Sequence, residues 1–156
     1  MVRRKRIGNG VYWGAFALGW FKHLHSSNLN STDYRVLFLL CEKMKFDDNT
    51  AYLKQKEISE ALNMDKGNVS KSIKKLREEQ FIFKNKNGFM INPHLFYVAK
   101  GRSIDREILR DEFDDLIREA GLDRKFNLNE DEHKLEEHPD KWEKSLSESA
   151  HNHIPF

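Results

Sequence analysis

The sequence has little cysteine and no long apolar run, and each shortage excludes a class of protein. Cys41 is the one cysteine among 156 residues, so an internal disulfide is excluded. It stands among apolar neighbours, which is typical of a small buried side chain in a reducing compartment, and we therefore expect a cytoplasmic protein. The longest apolar stretch, VYWGAFALGWF at residues 11–21, falls short of the roughly 20 residues that span a bilayer. We expect no membrane partner.

Motifs of nucleotide and cofactor chemistry are also missing. The sequence contains no glycine-rich phosphate loop and no nucleophile elbow, so nothing supports an ATPase or a hydrolase. Four histidines near the C-terminus lack the cysteine partners of a zinc site, and a solvated tail is the favoured interpretation. They are His133, His138, His151 and His153. We expect no cofactor, no metal and no enzymatic activity.

Charge, in contrast, is plentiful and unevenly distributed. The formal net charge is only +2, yet residues 1–100 hold 18 Lys and Arg against 9 Asp and Glu. Residues 101–156 have the opposite balance, with 9 basic and 16 acidic residues. A basic body with an acidic end indicates a polyanion, nucleic acid, as the partner of the body. A lysine-rich solvated surface would give the same numbers.

The first 29 residues combine a basic arm with an aromatic segment. The arm is basic at four consecutive positions, Arg3, Arg4, Lys5 and Arg6. Phe16, Leu18 and Trp20 then alternate with small residues, and this period of two predicts a strand with its bulky side chains on one face. A short helix is the alternative, because alanine and leucine favour it.

The next segment, residues 30–100, opens with a complete helix start signal. Asn30 can cap the helix, and Asp33 three residues later completes a capping box. Apolar residues from Val36 to Met44 then fall on one helical face. A turn and a very short strand at residues 51–53 follow. These signals predict an amphipathic helix whose stripe contributes to a core.

A second short helix at residues 54–64 leads through a tight turn to a third helix. Asp65 caps this helix, which runs to about Gln80. Residues 81–92 then predict two strands that meet at Asn87-Gly88, the strongest hairpin signal in the sequence. This order of elements is that of a winged helix-turn-helix. The predicted fold class is therefore α+β, mainly α, with the winged domain at residues 30–100.

The third helix has the pattern of a helix that enters the major groove. With Val69 at the origin of a helical wheel, Ile73 and Leu76 lie within about 40° of it and form the buried face. The groove admits one helix, which approaches through its N-terminal residues while its far side packs on the domain. A solvated surface helix is the competing interpretation, but no acidic residue between Lys66 and Leu76 balances the lysines.

These positions define the predicted DNA contacts. Base readout is assigned to Lys66, Asn68, Ser70 and Lys71, because lysine suits guanine O6 and N7 and asparagine suits adenine N6 and N7. Phosphate or wing contacts are assigned to Gln55, Lys56, Gly67, Lys74, Lys75, Lys84, Lys86 and Asn87. At Gly67 the backbone can approach a phosphate near the positive end of the helix. The arm at residues 3–6 is expected to bind DNA as well.

Two alternative nucleic-acid chemistries are less well supported. His23-Leu24-His25 matches the pair of histidines that holds a metal in rolling-circle nicking enzymes, where a tyrosine attacks the phosphate. The tyrosines available for that role are Tyr34, Tyr52 and Tyr97. The sheet that such an enzyme requires is not predicted. A second alternative is stacking on single-stranded bases by the aromatic residues of the N-terminal segment, but their alternation favours core packing. These residues are Trp13, Phe16, Trp20 and Phe21.

Residues 103–121, SIDREILRDEFDDLIREAG, predict a fourth helix, with Ser103 as its cap and Gly121 just past its end. Its apolar stripe consists of Ile104, Ile108, Phe113, Leu116 and Ile117. The stripe favours a homodimer through this helix, with two modules on half-sites one helical turn apart. Packing on Phe16, Leu18 and Trp20 is the alternative. Residues 122–156 form an acidic tail, for which both disorder and a short docking helix remain open.

The chain resembles the RepL-type plasmid replication proteins of Gram-positive bacteria over residues 14–113. The likeness is densest in residues 50–101, where GFMINPHLF (Gly88–Phe96) is similar to the wing strand of that family and the Asn-Pro turn after it. The resemblance implies a winged-helix protein that binds double-stranded DNA in plasmid replication or maintenance, without catalysis of its own and with host replication proteins as further partners. A transcriptional regulator with the same module is the alternative, and a metal-dependent nickase is the alternative from another class.

Overall fold

A computed structural model describes residues 13–45, 47–98 and 103–140 of the chain. The helices in these ranges are α1 Gly19–Ser26, α2 Ser31–Lys43, α3 Gln55–Leu62, α4 Lys66–Glu78 and α5 Ser103–Glu119. The strands are β1 Gly14–Phe16, β2 Thr50–Ala51, β3 Ile82–Asn85, β4 Gly88–Ile91, β5 Phe96–Val98, β6 Phe126–Asn129 and β7 Lys134–Glu137. The α+β class predicted from the sequence is confirmed. The predictions for the arm, for the side chains of Ser103 and Ile104, and for His151 and His153 lie outside the described residues.

The aromatic segment divides between a strand and a helix. β1 pairs antiparallel with β5, with Phe16 opposite Phe96. The chain then turns, and the backbone N–H of Trp20 donates to the Ala17 carbonyl as α1 begins. Trp20 is buried, whereas Leu18 is 78% exposed, so the predicted single strand face is wrong beyond Phe16. The physical reason is the turn, which ends the alternation of faces that a strand would maintain.

Helix α2 begins as its capping signal predicts. The Asn30 side chain accepts the Asp33 N–H at 3.0 Å, and the Asp33 carboxylate accepts the Asn30 N–H at 2.9 Å. Val36, Leu37 and Leu40 are fully buried on the inner face. They form one core with α3, α4 and the sheet. Each such buried aliphatic side chain contributes roughly 1.5–3 kcal/mol to folding.

Three helices and a small sheet form the centre of the fold. α4 packs on α2 and on α3, and the sheet has the strand order β2-β4-β3. Ile82 of β3 lies opposite Ile91 of β4, and both side chains are fully buried. On α3, Ile58 is fully buried whereas Ala61 is exposed. The order of helices, short strand and hairpin is the one that the sequence predicts.

The turn of the β3–β4 hairpin is one residue earlier than predicted. Asn85 pairs with Gly88, so the loop consists of Lys86 and Asn87, and Lys86 takes the left-handed conformation with φ 52°. Gly88 is the first residue of β4. A Cβ atom on Gly88 would lie 2.3 Å from the Ala51 carbonyl oxygen, so glycine is required there for β2 to pair with β4.

Helix α5 packs on the β3–β4 hairpin of its own chain. Phe113 and Ile117 are buried against Phe83 and Met90. Part of the apolar stripe is therefore used within the monomer, where it packs on the β3–β4 hairpin and not on Phe16, Leu18 and Trp20. The homodimer through this helix stays a prediction. Ile108 remains 51% exposed.

The end of α5 matches its prediction. Gly121 has φ +75°, its N–H donates to the Arg118 carbonyl, and the Leu122 N–H donates to the Ile117 carbonyl. These two bonds form a Schellman motif, which stops the helix and reverses the chain.

Residues 122–140 are ordered, in contrast to the disorder that was left open for the acidic tail. β6 and β7 form an antiparallel hairpin, with Leu128 opposite Leu135. Phe126 is 4% exposed and packs against Phe81, and the Gln80 side chain bonds backbone groups of Asp123 and Lys125. This hairpin therefore belongs to the main core.

His94 joins the C-terminal elements to the centre. Its side chain is 2% exposed, and its Nδ1 accepts the backbone N–H of Leu128 at 2.9 Å. Since Nδ1 is an acceptor, Nε2 carries the hydrogen and donates to the Asp114 carboxylate at 2.8 Å. One ring thus links the β4–β5 connection to both α5 and β6. Arg124 adds an ion pair with Asp114 at 3.1 Å.

In the part of the chain that the structure describes, no helix has the length and apolar character needed to cross a membrane.

Candidate nucleic-acid interface

The start of α4 is fixed by Asp65. Its side chain accepts the Gly67 N–H at 3.0 Å, which confirms the predicted cap. A Cβ on Gly67 would lie 2.9 Å from a carboxylate oxygen of Asp65, so glycine gives the cap its room. This N–H is therefore already bonded within the chain. That differs from its predicted use on a phosphate, because a carboxylate occupies the place of the anion.

The two sides of α4 differ as the helical wheel predicts. Val69, Ile73 and Leu76 are at most 3% exposed and face the core. The residues predicted to meet DNA from the first turns are all exposed to solvent. They are Lys66, Gly67, Asn68, Ser70, Lys71 and Lys74. The inner side fixes the rotation of the helix, so these groups are presented together on a rigid element.

Lys75 is the exception, because its ammonium points toward α2. Its Nζ lies 3.2 Å from the Asp33 carboxylate and 3.4 Å from the Asn28 carbonyl oxygen. Asp33 also accepts the Ser72 hydroxyl at 2.6 Å. The predicted place of Lys75 on the outer side is therefore wrong, since its charge is paired at the α2–α4 contact.

Asp33 gains a lowered pKa from this contact. Burial acts to raise the pKa of the carboxyl, but three opposing influences outweigh it: the hydrogen bond from Ser72, the backbone N–H of Asn30, and the ammonium of Lys75. The carboxylate therefore stays ionised and ties α4 to the N-terminus of α2.

A cleft of about 350 Å³ separates the N-terminus of α3 from the β3–β4 hairpin. Its lining is basic and polar, with Lys54 and Gln55 on the helix side and Lys84, Lys86 and Asn87 on the hairpin side. The structure thus brings together residues from two distant parts of the sequence, Gln55 on one side and Lys84, Lys86 and Asn87 on the other, all of which were assigned to phosphate or wing contacts. Lys56, on the exposed side of α3, does not line the cleft.

Sequence reasoning missed Lys54. It stands directly before α3, and its backbone N–H donates to the Glu57 carboxylate at 3.1 Å, so it is held at the helix start. Its position next to Gln55 and Lys56 was the available signal, because side chains at a helix start lie beside the free N–H groups of the first turn.

The residues of the nickase alternative do not form one site. His23 lies 3.0 Å from the Glu137 carboxylate and against the Phe126 ring, whereas His25 is exposed to solvent. Because His23 and His25 are two residues apart on α1, their side chains point about 200° apart around the helix axis. Tyr52 donates to Asp48, and this bond is the main reason that the pKa of the phenol is raised to about 12, the direction opposite to that of an activated nucleophile. Within the described residues no group of three metal-ligating side chains occurs.

Comparison with known proteins assigns the chain. A family model described as Firmicute plasmid replication protein (RepL) matches residues 14–150. The chain belongs to the RepL family. No curated protein and no solved structure matches it. The RepL match extends well beyond the segment in which the sequence itself resembled that family, and it includes α5 and the β6–β7 hairpin.

Proposed function

We propose that this RepL protein binds double-stranded DNA sequence-selectively at a site needed for plasmid replication or maintenance. In this proposal α2, α3 and α4 form a helix-turn-helix, α4 is the recognition helix, and the β3–β4 hairpin is the wing. The observation that carries the proposal is the two-sidedness of α4. Its buried face is closed by Val69, Ile73 and Leu76, while Lys66, Asn68, Ser70 and Lys71 share the exposed leading end.

The basic cleft supports the phosphate part of the proposal. A strand of the duplex that follows the start of α3 would meet Lys54 and Gln55 on one side and the hairpin lysines on the other. Such contacts set register and affinity, whereas base contacts set selectivity. We assign Lys74 to a phosphate and Lys75 to structure, because the ammonium of Lys75 is paired with Asp33.

The first test is Lys71→Ala, with Lys134→Ala as the control. Lys134 is exposed on β7 and pairs with Glu132 of its own hairpin turn. We expect Lys71→Ala to cost about 1–3 kcal/mol on the specific site and to relax selectivity there. Titration of the specific and a scrambled duplex by fluorescence anisotropy measures both effects. Unchanged site affinity in Lys71→Ala would remove α4 as the reading helix.

Footprinting on the parent plasmid separates the three functions that have been considered. A replication or maintenance protein should protect a site inside the replication region. Protection confined to promoters would indicate a transcriptional regulator. Relaxation of supercoiled plasmid in the presence of Mg²⁺ or Mn²⁺ would indicate a nickase and would contradict the proposal of a protein without catalysis.

A further inference from the structure

An aromatic groove lies away from α4, between the end of α2 and the β1–β5 sheet. Its volume is about 510 Å³, within the range of about 300–1,000 Å³ that is common for ligand sites. Its lining includes Trp13, Cys41, Lys43, Lys45 and Phe96, and the name aromatic groove is kept for these residues. None of these residues lies on α4, and none of them lines the basic cleft.

The exposure of Trp13 is what makes the groove unusual. The indole is 74% exposed, and Phe16 on β1 and Phe21 on α1 are 44% and 47% exposed. The sequence interpretation of these rings as core is therefore wrong for all but Trp20. Phe16 contacts Phe96 at 6.1 Å between ring centres and Phe21 at 4.8 Å, so aromatic surface continues past the groove.

The charge beside the rings favours a polyanion over an apolar protein segment. Two lysines, Lys43 and Lys45, line the groove together with Trp13, against one carboxylate, that of Glu42. Lys43 has only a weak, exposed contact of 4.0 Å with Glu42. The sequence before Trp13 adds four basic residues at positions 3–6, which the intervening chain holds within roughly 35 Å at full extension. A flat aromatic face next to cations is the combination that binds single strands, because bases stack while phosphates pair with the cations.

We propose that the aromatic groove binds single-stranded DNA, with a base stacked on Trp13 and its flanking phosphates held by Lys43 and Lys45. The site does not include the duplex contacts on α4, so this proposal can be tested independently of them. It gives the protein a contact for the unpaired strand that appears when a replication origin opens. A duplex cannot use the groove in the same way, because its bases are already stacked on one another.

The central test compares Trp13→Ala with Phe38→Ala in the full-length protein. Phe38 is the matched control, because it is a 59% exposed ring on α2 that does not line the groove. The probe is a fluorescein-labelled oligothymidylate, and the readout is anisotropy. We expect Trp13→Ala to weaken binding about 5- to 150-fold, which corresponds to about 1–3 kcal/mol of stacking. Phe38→Ala should bind as the wild type does. Unchanged binding by Trp13→Ala overturns the proposal.

A second readout reports the stacking itself. Oligothymidylate should quench tryptophan emission in the wild type, and this quench should disappear in Trp13→Ala. Lys45→Ala should reduce the slope of log affinity against log salt by about 0.7, the value for one phosphate contact on a single strand. A quench that persists in Trp13→Ala would assign the stacking to another ring and overturn the site.

Two comparisons exclude other occupants. Lys71→Ala should lose duplex selectivity yet keep oligothymidylate affinity, so a failure of the duplex proposal is distinguishable from a failure of this one. Sedimentation velocity tests the remaining occupant, a second copy of the chain. A wild-type dimer that becomes a monomer on Trp13→Ala would show that the groove is a subunit interface and overturn the proposal.

Discussion

At the scale of single residues, Asp33 has three structural roles. It completes the cap of α2, accepts the Ser72 hydroxyl and pairs with Lys75, all while 2% exposed. Only the first role could be predicted from the sequence, because a capping box is a local pattern. The contact with α4 depends on how two helices pack, and no spacing in the sequence encodes it. Lys75 was misplaced for the same reason.

Asp33 should make stability depend on pH. Its pKa in the folded chain lies below its ordinary value of 3.8, so its contribution is complete above that value and is lost as the pH falls through the folded pKa. We expect Asp33→Asn to lower the free energy of unfolding by roughly 1.5–3 kcal/mol at neutral pH. The difference from the wild type should shrink below about pH 4. Urea unfolding at several pH values measures this, and a constant difference would contradict it.

Gly88 is a second residue whose role depends on tertiary contact. A Cβ there would lie 2.3 Å from a backbone oxygen that cannot move without separating β2 from β4. We expect Gly88→Ala to cost about 1–3 kcal/mol in thermal or urea unfolding. Gly19→Ala is the control, because its Cβ would meet only the Leu135 side chain at an ordinary 3.5 Å. Equal losses in the two variants would show that the clash with the Ala51 carbonyl is not responsible, because the reduced backbone freedom of alanine in the unfolded chain favours folding.

At the scale of elements, helices α2 to α5 were predictable, whereas helix α1 and the C-terminal hairpin were not. α2 and α4 have N-caps, α5 ends before a glycine, and all three have apolar stripes, so their type and approximate limits follow from local chemistry. β6 and β7 are four residues long and rich in Asn, Glu and Lys, which have low strand propensity. They form because Phe126 is buried and Leu135 packs against the core. The same dependence on packing ended β1 early, at Phe16.

The packing of α5 gives a prediction for one pair of residues. Phe113 is 1% exposed against Phe83, whereas Ile108 is 51% exposed on the same helix. We expect Phe113→Ala to cost about 3–5 kcal/mol, and Ile108→Ala to stay within about 0.5 kcal/mol, in chemical unfolding. Ile108→Ala also tests the homodimer that we propose through this helix. A dimer in sedimentation that survives this substitution would place the subunit contact elsewhere.

At the scale of the whole molecule, the acidic C-terminal part is a structural unit that contacts the basic body. Residues 103–140 carry 14 acidic and 6 basic side chains, whereas residues 13–98 carry 9 acidic and 13 basic side chains. A truncation after residue 121 removes Phe126, one of the two rings that pack on Phe81, the other being Trp20. We expect it to lower the melting temperature by several degrees or to abolish folding. Circular dichroism of this fragment during thermal unfolding checks the expectation.

The acidic residues of this unit suggest a shielding role, in which they repel DNA from the basic body. A test of that role must change the charge without disturbing the core. Removal of residues 122–156 would confuse loss of charge with loss of core. Substitution of the exposed carboxylates Asp131 and Glu132 by their amides changes the charge and keeps the hairpin. If the unit weakens attraction to DNA, these substitutions should raise non-specific affinity at low salt and have little effect at high salt.

The cap of α4 has a consequence for how the protein would move along a plasmid. Asp65 places a fixed negative charge at the leading end of the helix, beside Lys66. On the proposed docking, that carboxylate faces the groove wall and is tolerated only where base contacts offset its repulsion. Encounters with random sequence would then be brief. If the protein docks on DNA as proposed, a carboxylate at this position would shorten the time spent on wrong sites and speed the search for the right one.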